Sequence, residues 1–173
     1  GRSASLITLE CALQSQPNVA IISEEVAEKE KTLNQVVEDT ASAVAKRAEK
    51  GLDFGVVLLP EGLIEFFPEI NALIEELNDI MADNEQELKN IKEHGEKVNF
   101  VESRLSAATS KAFTSLPAEI KQQLLEDRDP HGNVQVSRIE TEKMLIEMVD
   151  ELLSKWQAEG KYNGKFKTHA HFF

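Results

Sequence analysis

With 173 residues, the chain has room for one domain, or for one domain carrying a smaller insertion, and too little for two catalytic domains. Nineteen Lys and Arg against thirty-one Asp and Glu leave a net charge of −12, which as a whole repels nucleic-acid phosphates and anionic membrane surfaces. An apolar fraction of 41% is enough for a packed core, no apolar run approaches the roughly eighteen residues of a membrane span, and the single cysteine, Cys11, excludes an internal disulfide. These features predict a folded chain in a reducing, cytoplasmic setting. The chain opens at Gly1 without an initiator Met, so we expect a piece of something longer.

The first half alternates helix and strand. Leu6, Leu9, Ala12 and Leu13 recur at helical spacing over 6–14, before Pro17 interrupts the pattern. Cys11 falls in that stripe and reads as a buried small apolar residue rather than a nucleophile. Val19 to Ile22 is a short, mostly β-branched run that predicts a buried strand. Thr32 and Gln35 form a capping box opening a helix with one apolar stripe, from Leu33 through Val36, Val37, Thr40, Ala41 and Val44 to Ala48, stopping at Gly51. Gly55 to Leu59 predicts a second buried strand, closed by Pro60-Glu61-Gly62. Two strands joined by a helix make a βαβ unit with parallel strands, so the fold class is α/β.

From Pro68 the alternation stops. Ile70, Leu73, Ile74, Leu77 and Met81 mark an amphipathic helix, and the charged 83–95 segment leads to short helices broken near Pro117. Residues 68–129 therefore read as an all-helical insertion into a discontinuous α/β domain of residues 1–67 and 130–173, with the return at the turn cluster Asp129 to Asn133. Ser137 and Glu140 have capping-box spacing for a last long helix carrying Leu145, Met148, Val149, Leu152 and Trp156 to Gly160. Asn163-Gly164 suggests a tight turn, and residues 166–173 an incomplete strand.

Chemistry has few candidate homes. Arg2 stands just before a helix whose exposed amides attract anions, and a guanidinium there suits phosphoryl oxygens; the plainer alternative is a solvated terminal arginine. Glu61, at the carboxyl end of a predicted parallel strand, is placed to accept hydrogen bonds from ligand hydroxyls, or else to cap the helix beginning nearby. Glu24 and Glu25 occupy the equivalent place after the first strand and are secondary candidates. His169 and His171, two apart, would share a face of an extended segment, but no Cys or carboxylate completes a metal set, and half-buried histidines are the simpler reading. The tract from Glu61 to Glu87, without a Lys or Arg, reads as the solvated side of helices. Dinucleotide, Walker-type and esterase motifs are absent.

Three stretches are more specific: Gly1-Arg2-Ser3-Ala4-Ser5 running into Leu9-Glu10-Cys11-Ala12-Leu13-Gln14; Leu59-Pro60-Glu61-Gly62-Leu63-Ile64-Glu65; and Ser137-Arg138-Ile139-Glu140-Thr141-Glu142-Lys143. Together with the ending His171-Phe172-Phe173, and in this order, they resemble pyrophosphate-dependent phosphofructokinases of the long form, which carry a helical insertion. The resemblance covers essentially the whole chain. It implies a Rossmann-like phosphofructokinase domain that phosphorylates fructose 6-phosphate reversibly from pyrophosphate in cytoplasmic glycolysis, as a homodimer.

By analogy with that family, Gly1 and Arg2 are the remainder of a Met-Gly-Arg motif and Glu61 is the Glu of Pro-Glu-Gly-Leu-Ile-Glu, all three contacting the sugar phosphate. Arg2 would also contact the phosphoryl group being transferred. Leu6 departs from the His that many relatives have there. The family's Gly-Gly-Asp-Asp-Ser loop, its Thr-Ile-Asp segment with the general base, and the ligands of its Mg2+ are expected before Gly1, and a Tyr-Glu-Gly-Arg motif after Phe173. The chain alone is therefore expected to be inactive. Two rivals stay open at this point: ATP as the donor, and a non-catalytic regulatory module whose acidic insertion binds a partner protein.

Overall fold

The computed structural model describes residues 4–60 and 62–170. These form nine α-helices and one parallel pair of short strands, divided into two compact units, residues 1–67 with 141–173 and residues 68–140.

In the first unit, α1 (Ala4–Ser15) leads into β1 (Val19–Ala20), the short helix α2 (Ser23–Glu28), α3 (Leu33–Glu49) and β2 (Val57–Leu58). The capping box forms as the sequence predicts: Gln35 N–H donates to Thr32 Oγ1 at 3.2 Å, and Thr32 N–H donates to Gln35 Oε1 at 2.9 Å. Leu33, Val36, Val37, Thr40, Ala41 and Ala45 are buried along one face. That face meets α9 (Thr141–Ala158), which contributes Met144, Leu145, Met148, Val149 and Leu153. Burying such side chains stabilises by about 1.5–3 kcal/mol each relative to exposure, so the α3–α9 pair is the principal core here. The C-terminal end of α3 is tied to the entrance of β2 by Arg47, whose Nε and Nη2 donate to the Phe54 carbonyl at 3.0 and 2.8 Å.

The strands are parallel, with Val19 opposite Val57 and Ala20 opposite Leu58. They are shorter and less buried than expected. Val19, Val57 and Leu58 are half-buried, Ala20 is exposed, and Phe54 and Val56 before β2 are 73% and 55% exposed. Each strand pairs only with the other among the described residues, so both outer edges lack the neighbours a larger sheet would supply. Helix α1 departs in the same way. The helix forms, but Leu6 and Leu13 are each 68% exposed, Leu9 is exposed, and Cys11 is exposed rather than buried.

The second unit is helical: α4 (Pro68–Asp83), α5 (Glu85–Asn90), α6 (His94–Glu102), α7 (Ala107–Thr114) and α8 (Ala118–Glu126), the last with Pro117 at its N-cap. Helix α4 packs on α7, and α6 on α8, around Leu73, Leu77, Val101, Phe113, Ile120 and Leu124, all buried. The unit extends to Glu140, past the turn cluster at 129–133. Two sets of contacts hold 127–140 to the helices. Arg128 and Val134 form an antiparallel bridge whose groups reach Asn78 on α4, and Glu140 exchanges hydrogen bonds with Gln123 on α8 at 3.0 and 3.2 Å. The second exchange also explains why Ser137 and Glu140 form no capping box. Glu140 is occupied by Gln123, residues Val136–Arg138 make a 3-10 turn, and α9 starts at Thr141.

The start of α7 is capped from another helix. Glu76 on α4 accepts the Ser106 N–H at 2.7 Å and the Ser106 hydroxyl at 3.0 Å, and it also accepts the Thr109 hydroxyl. The Thr109 hydrogen bond is the main cause, with those from Ser106 adding to it, that holds the Glu76 carboxyl below the usual carboxylate range. A depressed folded-state pKa contributes stability that is present above the unfolded value near 4.3 and is lost as pH falls through the folded value. Thermal melts from pH 7 to pH 3 should therefore show a loss of stability below about pH 4.5 that is smaller in Glu76→Gln. Equal acid sensitivity in both proteins would refute this role for Glu76.

Candidate functional site

In a parallel pair both carboxyl ends emerge on one side, and the loops that leave them are the natural place for a ligand. After β1 the chain passes through Ile21 and Ile22 into α2; after β2 it passes through Leu59 and the buried Pro60 towards Gly62. Gly62 has φ of +74°, in the left-handed region, where an L side chain costs about 1–2 kcal/mol. A 3-10 turn, Leu63–Phe66, follows at once and packs against α2, with Leu63 0% and Ile64 1% exposed. The neighbours of position 61 are thus anchored on both sides, by a buried proline and by a glycine turn held on a buried leucine.

Glu61 itself, Gly1 and Arg2 lie outside the described residues. What can be placed is their setting: α1 begins two residues after Arg2, and Glu61 follows the carboxyl end of β2. Glu24 and Glu25 fall in the first turn of α2, a helix that periodicity did not reveal because it has only six residues. Both are exposed. Glu25 is paired with Lys29 one turn on, and that hydrogen bond and charge lower its pKa. A hollow of about 180 Å³ beside β1 is lined by Ile22, Glu25, Lys31 and Asp39 among others, and Lys31 pairs with Asp39 at 2.7 Å. Its charges are thus paired, Glu25 with Lys29 outside the lining and Lys31 with Asp39 within it.

The ending differs from the expected strand. Residues 165–170 are irregular, His169 is exposed rather than half-buried, and His171 lies outside the described residues. The chain turns at Gly160 and bends at Gly164 instead of making a hairpin turn at Asn163. Among the described residues no three His, Cys, Asp or Glu side chains converge as a metal would require. Among the described residues no helix is long and apolar enough to cross a membrane.

Comparison with known proteins decides how far the motif resemblance extends. Over 173 residues the chain is 54% identical to the pyrophosphate--fructose 6-phosphate 1-phosphotransferase of Treponema pallidum (strain Nichols), with all of this chain and 30% of that protein aligned. The resemblance holds along the entire chain. It is 49% identical over the same length to the protein of the same name from Porphyromonas gingivalis, covering 31% of it. It is also 49% identical to the subunit beta 2 of that enzyme from Arabidopsis thaliana, covering 29%. The chain thus spans about 30% of the length of the curated relatives it matches. No family model matches it.

Proposed function

We propose that this chain is the sugar-phosphate side of a phosphotransferase that moves a phosphoryl group from pyrophosphate to the 1-hydroxyl of fructose 6-phosphate. The observation that carries this reading is the end-to-end similarity, 54% over 173 residues, to a protein named for that reaction. Parallel strands with a glycine turn directly after position 61 support it, because the carboxyl ends of such strands are where α/β proteins gather ligands. Within this reading the first unit is part of a Rossmann-like phosphofructokinase domain and the second is its helical insertion. The working enzyme is cytoplasmic and assembled from more than one subunit.

In the reaction the sugar 1-oxygen attacks one phosphorus of pyrophosphate and the bridging P–O bond breaks, giving fructose 1,6-bisphosphate and phosphate. Such transfers require little covalent work from protein groups, so catalysis rests on positioning and on stabilising charge. In the proposal Arg2 balances phosphoryl oxygens beside the start of α1, and Glu61 orients the sugar by accepting from its hydroxyls. The base that takes the hydroxyl proton belongs to other parts of the protein. In the proposal the ligands of the Mg2+ likewise belong to other parts of the protein.

The test has two arms. The complete protein carrying this segment should turn over fructose 6-phosphate with pyrophosphate and not with ATP, whereas the 173-residue chain alone should show no turnover with either. Turnover by the chain alone would place the base inside it, and preference for ATP would overturn the donor assignment.

A further inference from the structure

A second hollow in the first unit, of about 240 Å³, lies between the last two turns of α9 and the loop after it. Its lining includes Asp150, Ser154, Gln157, Tyr162, Lys165 and Lys167. Three observations set it apart. First, residues 160–170 hold Lys161, Lys165 and Lys167 and no Asp or Glu, a local reversal of charge in a chain of net −12. Second, Lys161 is paired with Glu159, whereas Lys165 and Lys167 have no carboxylate partner among the described residues. Third, Tyr162 is only 5% exposed as a residue, while its hydroxyl stays open to solvent and makes no hydrogen bond among them.

The loop is shaped to leave that hydroxyl at the hollow. A Cβ on Gly164 would stand 2.5 Å from the Tyr162 oxygen, so only glycine lets the ring lie against the bend that lines the cavity. Burial, with Asp53 and Asp150 nearby, raises the Tyr162 pKa, which keeps the group a donor. Two ammonium groups and a hydroxyl donor favour phosphoryl oxygens. The Asp150 carboxylate repels an anion but accepts from alcohols, and Ser154 and Gln157 can donate or accept.

We propose that this hollow binds a small phosphorylated polyol, with the phosphate on Lys165, Lys167 and the Tyr162 hydroxyl and the alcohol groups on Asp150, Ser154 and Gln157. It uses none of the residues assigned to the sugar phosphate above.

Amide chemical shifts of the chain, titrated with glycerol 3-phosphate, inorganic phosphate and glycerol in turn, test the site without any need for turnover. We expect saturable shifts at 154, 157 and 162–167 with glycerol 3-phosphate, weaker binding of phosphate, and none of glycerol. The K165Q/K167Q double variant should bind at least tenfold more weakly at an unchanged melting temperature, and Lys111→Gln should leave binding as it is. Asp150→Asn should retain phosphate binding and narrow the preference for the ester. Equal affinity for ester and inorganic phosphate would overturn the polyol assignment. Shifts spread over Lys46, Lys50 and Lys111, or undiminished in the double variant, would overturn the site.

Discussion

Asn78→Ala should lower the stability of the helical unit by about 2–4 kcal/mol, the sum of two lost hydrogen bonds, one of them to a charged group. The Asn78 side-chain oxygen on α4 accepts from Arg128 Nη1 at 2.7 Å and from the Val134 N–H at 2.9 Å, so a single acceptor serves both sides of the Arg128–Val134 bridge. Arg128 has little in reserve. Its Nη1 also reaches the Gly132 carbonyl at 3.1 Å, but Nε and Nη2 are buried without a partner among the described residues, and this desolvation lowers the guanidinium pKa against the pull of Asp129. Removing Asn78 leaves the buried charge in place with one acceptor fewer. Removing the charge itself, in Arg128→Met, takes its desolvation cost away as well and should be the milder change. Urea unfolding of the two variants checks the order. If Arg128→Met proves the more damaging, the charge contributes more than it costs and the account of Asn78 is wrong.

How much of this was readable in the sequence depends on whether the signal was local. The Thr32–Gln35 box and the stripe from Leu33 to Ala45 are set by residues three and four apart, and α3 appeared where they placed it. The box at Ser137–Glu140 has the same spacing and failed, because Gln123, far away in sequence, takes both the carboxylate and the N–H of Glu140. Helix α1 shows the converse. Its spacing predicted a helix and could not predict burial, which depends on what packs on Leu6, Leu9 and Leu13, so Cys11 was placed inside and lies outside. The same reasoning covers the strands: an apolar run at 55–59 announces β structure, but depth in a sheet is a property of neighbours. Of the candidate site, the motif around Pro60-Glu61-Gly62 was legible because a turn after a strand has its own residue chemistry. The clustering of Tyr162 with Lys165 and Lys167 was not, since it requires the fold of the loop back onto α9.

Glu61→Gln in the complete protein should reduce kcat/KM for fructose 6-phosphate by roughly 10- to 100-fold, the worth of a hydrogen bond to a charged acceptor of about 1.5–3 kcal/mol. Gln keeps the size of the side chain and one acceptor oxygen but loses the charge, so folding should be spared and the melting temperature should stay within about 2 °C. Glu24→Gln is the matched control. Glu24 is an exposed carboxylate in the first turn of α2, after the other parallel strand, and its kinetics should stay within twofold of the parent. The two variants discriminate cleanly between a ligand contact and a general effect of negative charge at the strand ends. A field effect would move both, because the chain carries −12 and loses one unit in either case. A specific contact moves only Glu61→Gln, and if the hydroxyls are held equally in ground and transition states the change should fall on KM rather than kcat. Parent-like kinetics in Glu61→Gln would remove Glu61 from the sugar site and leave the turn at Gly62 a purely structural feature.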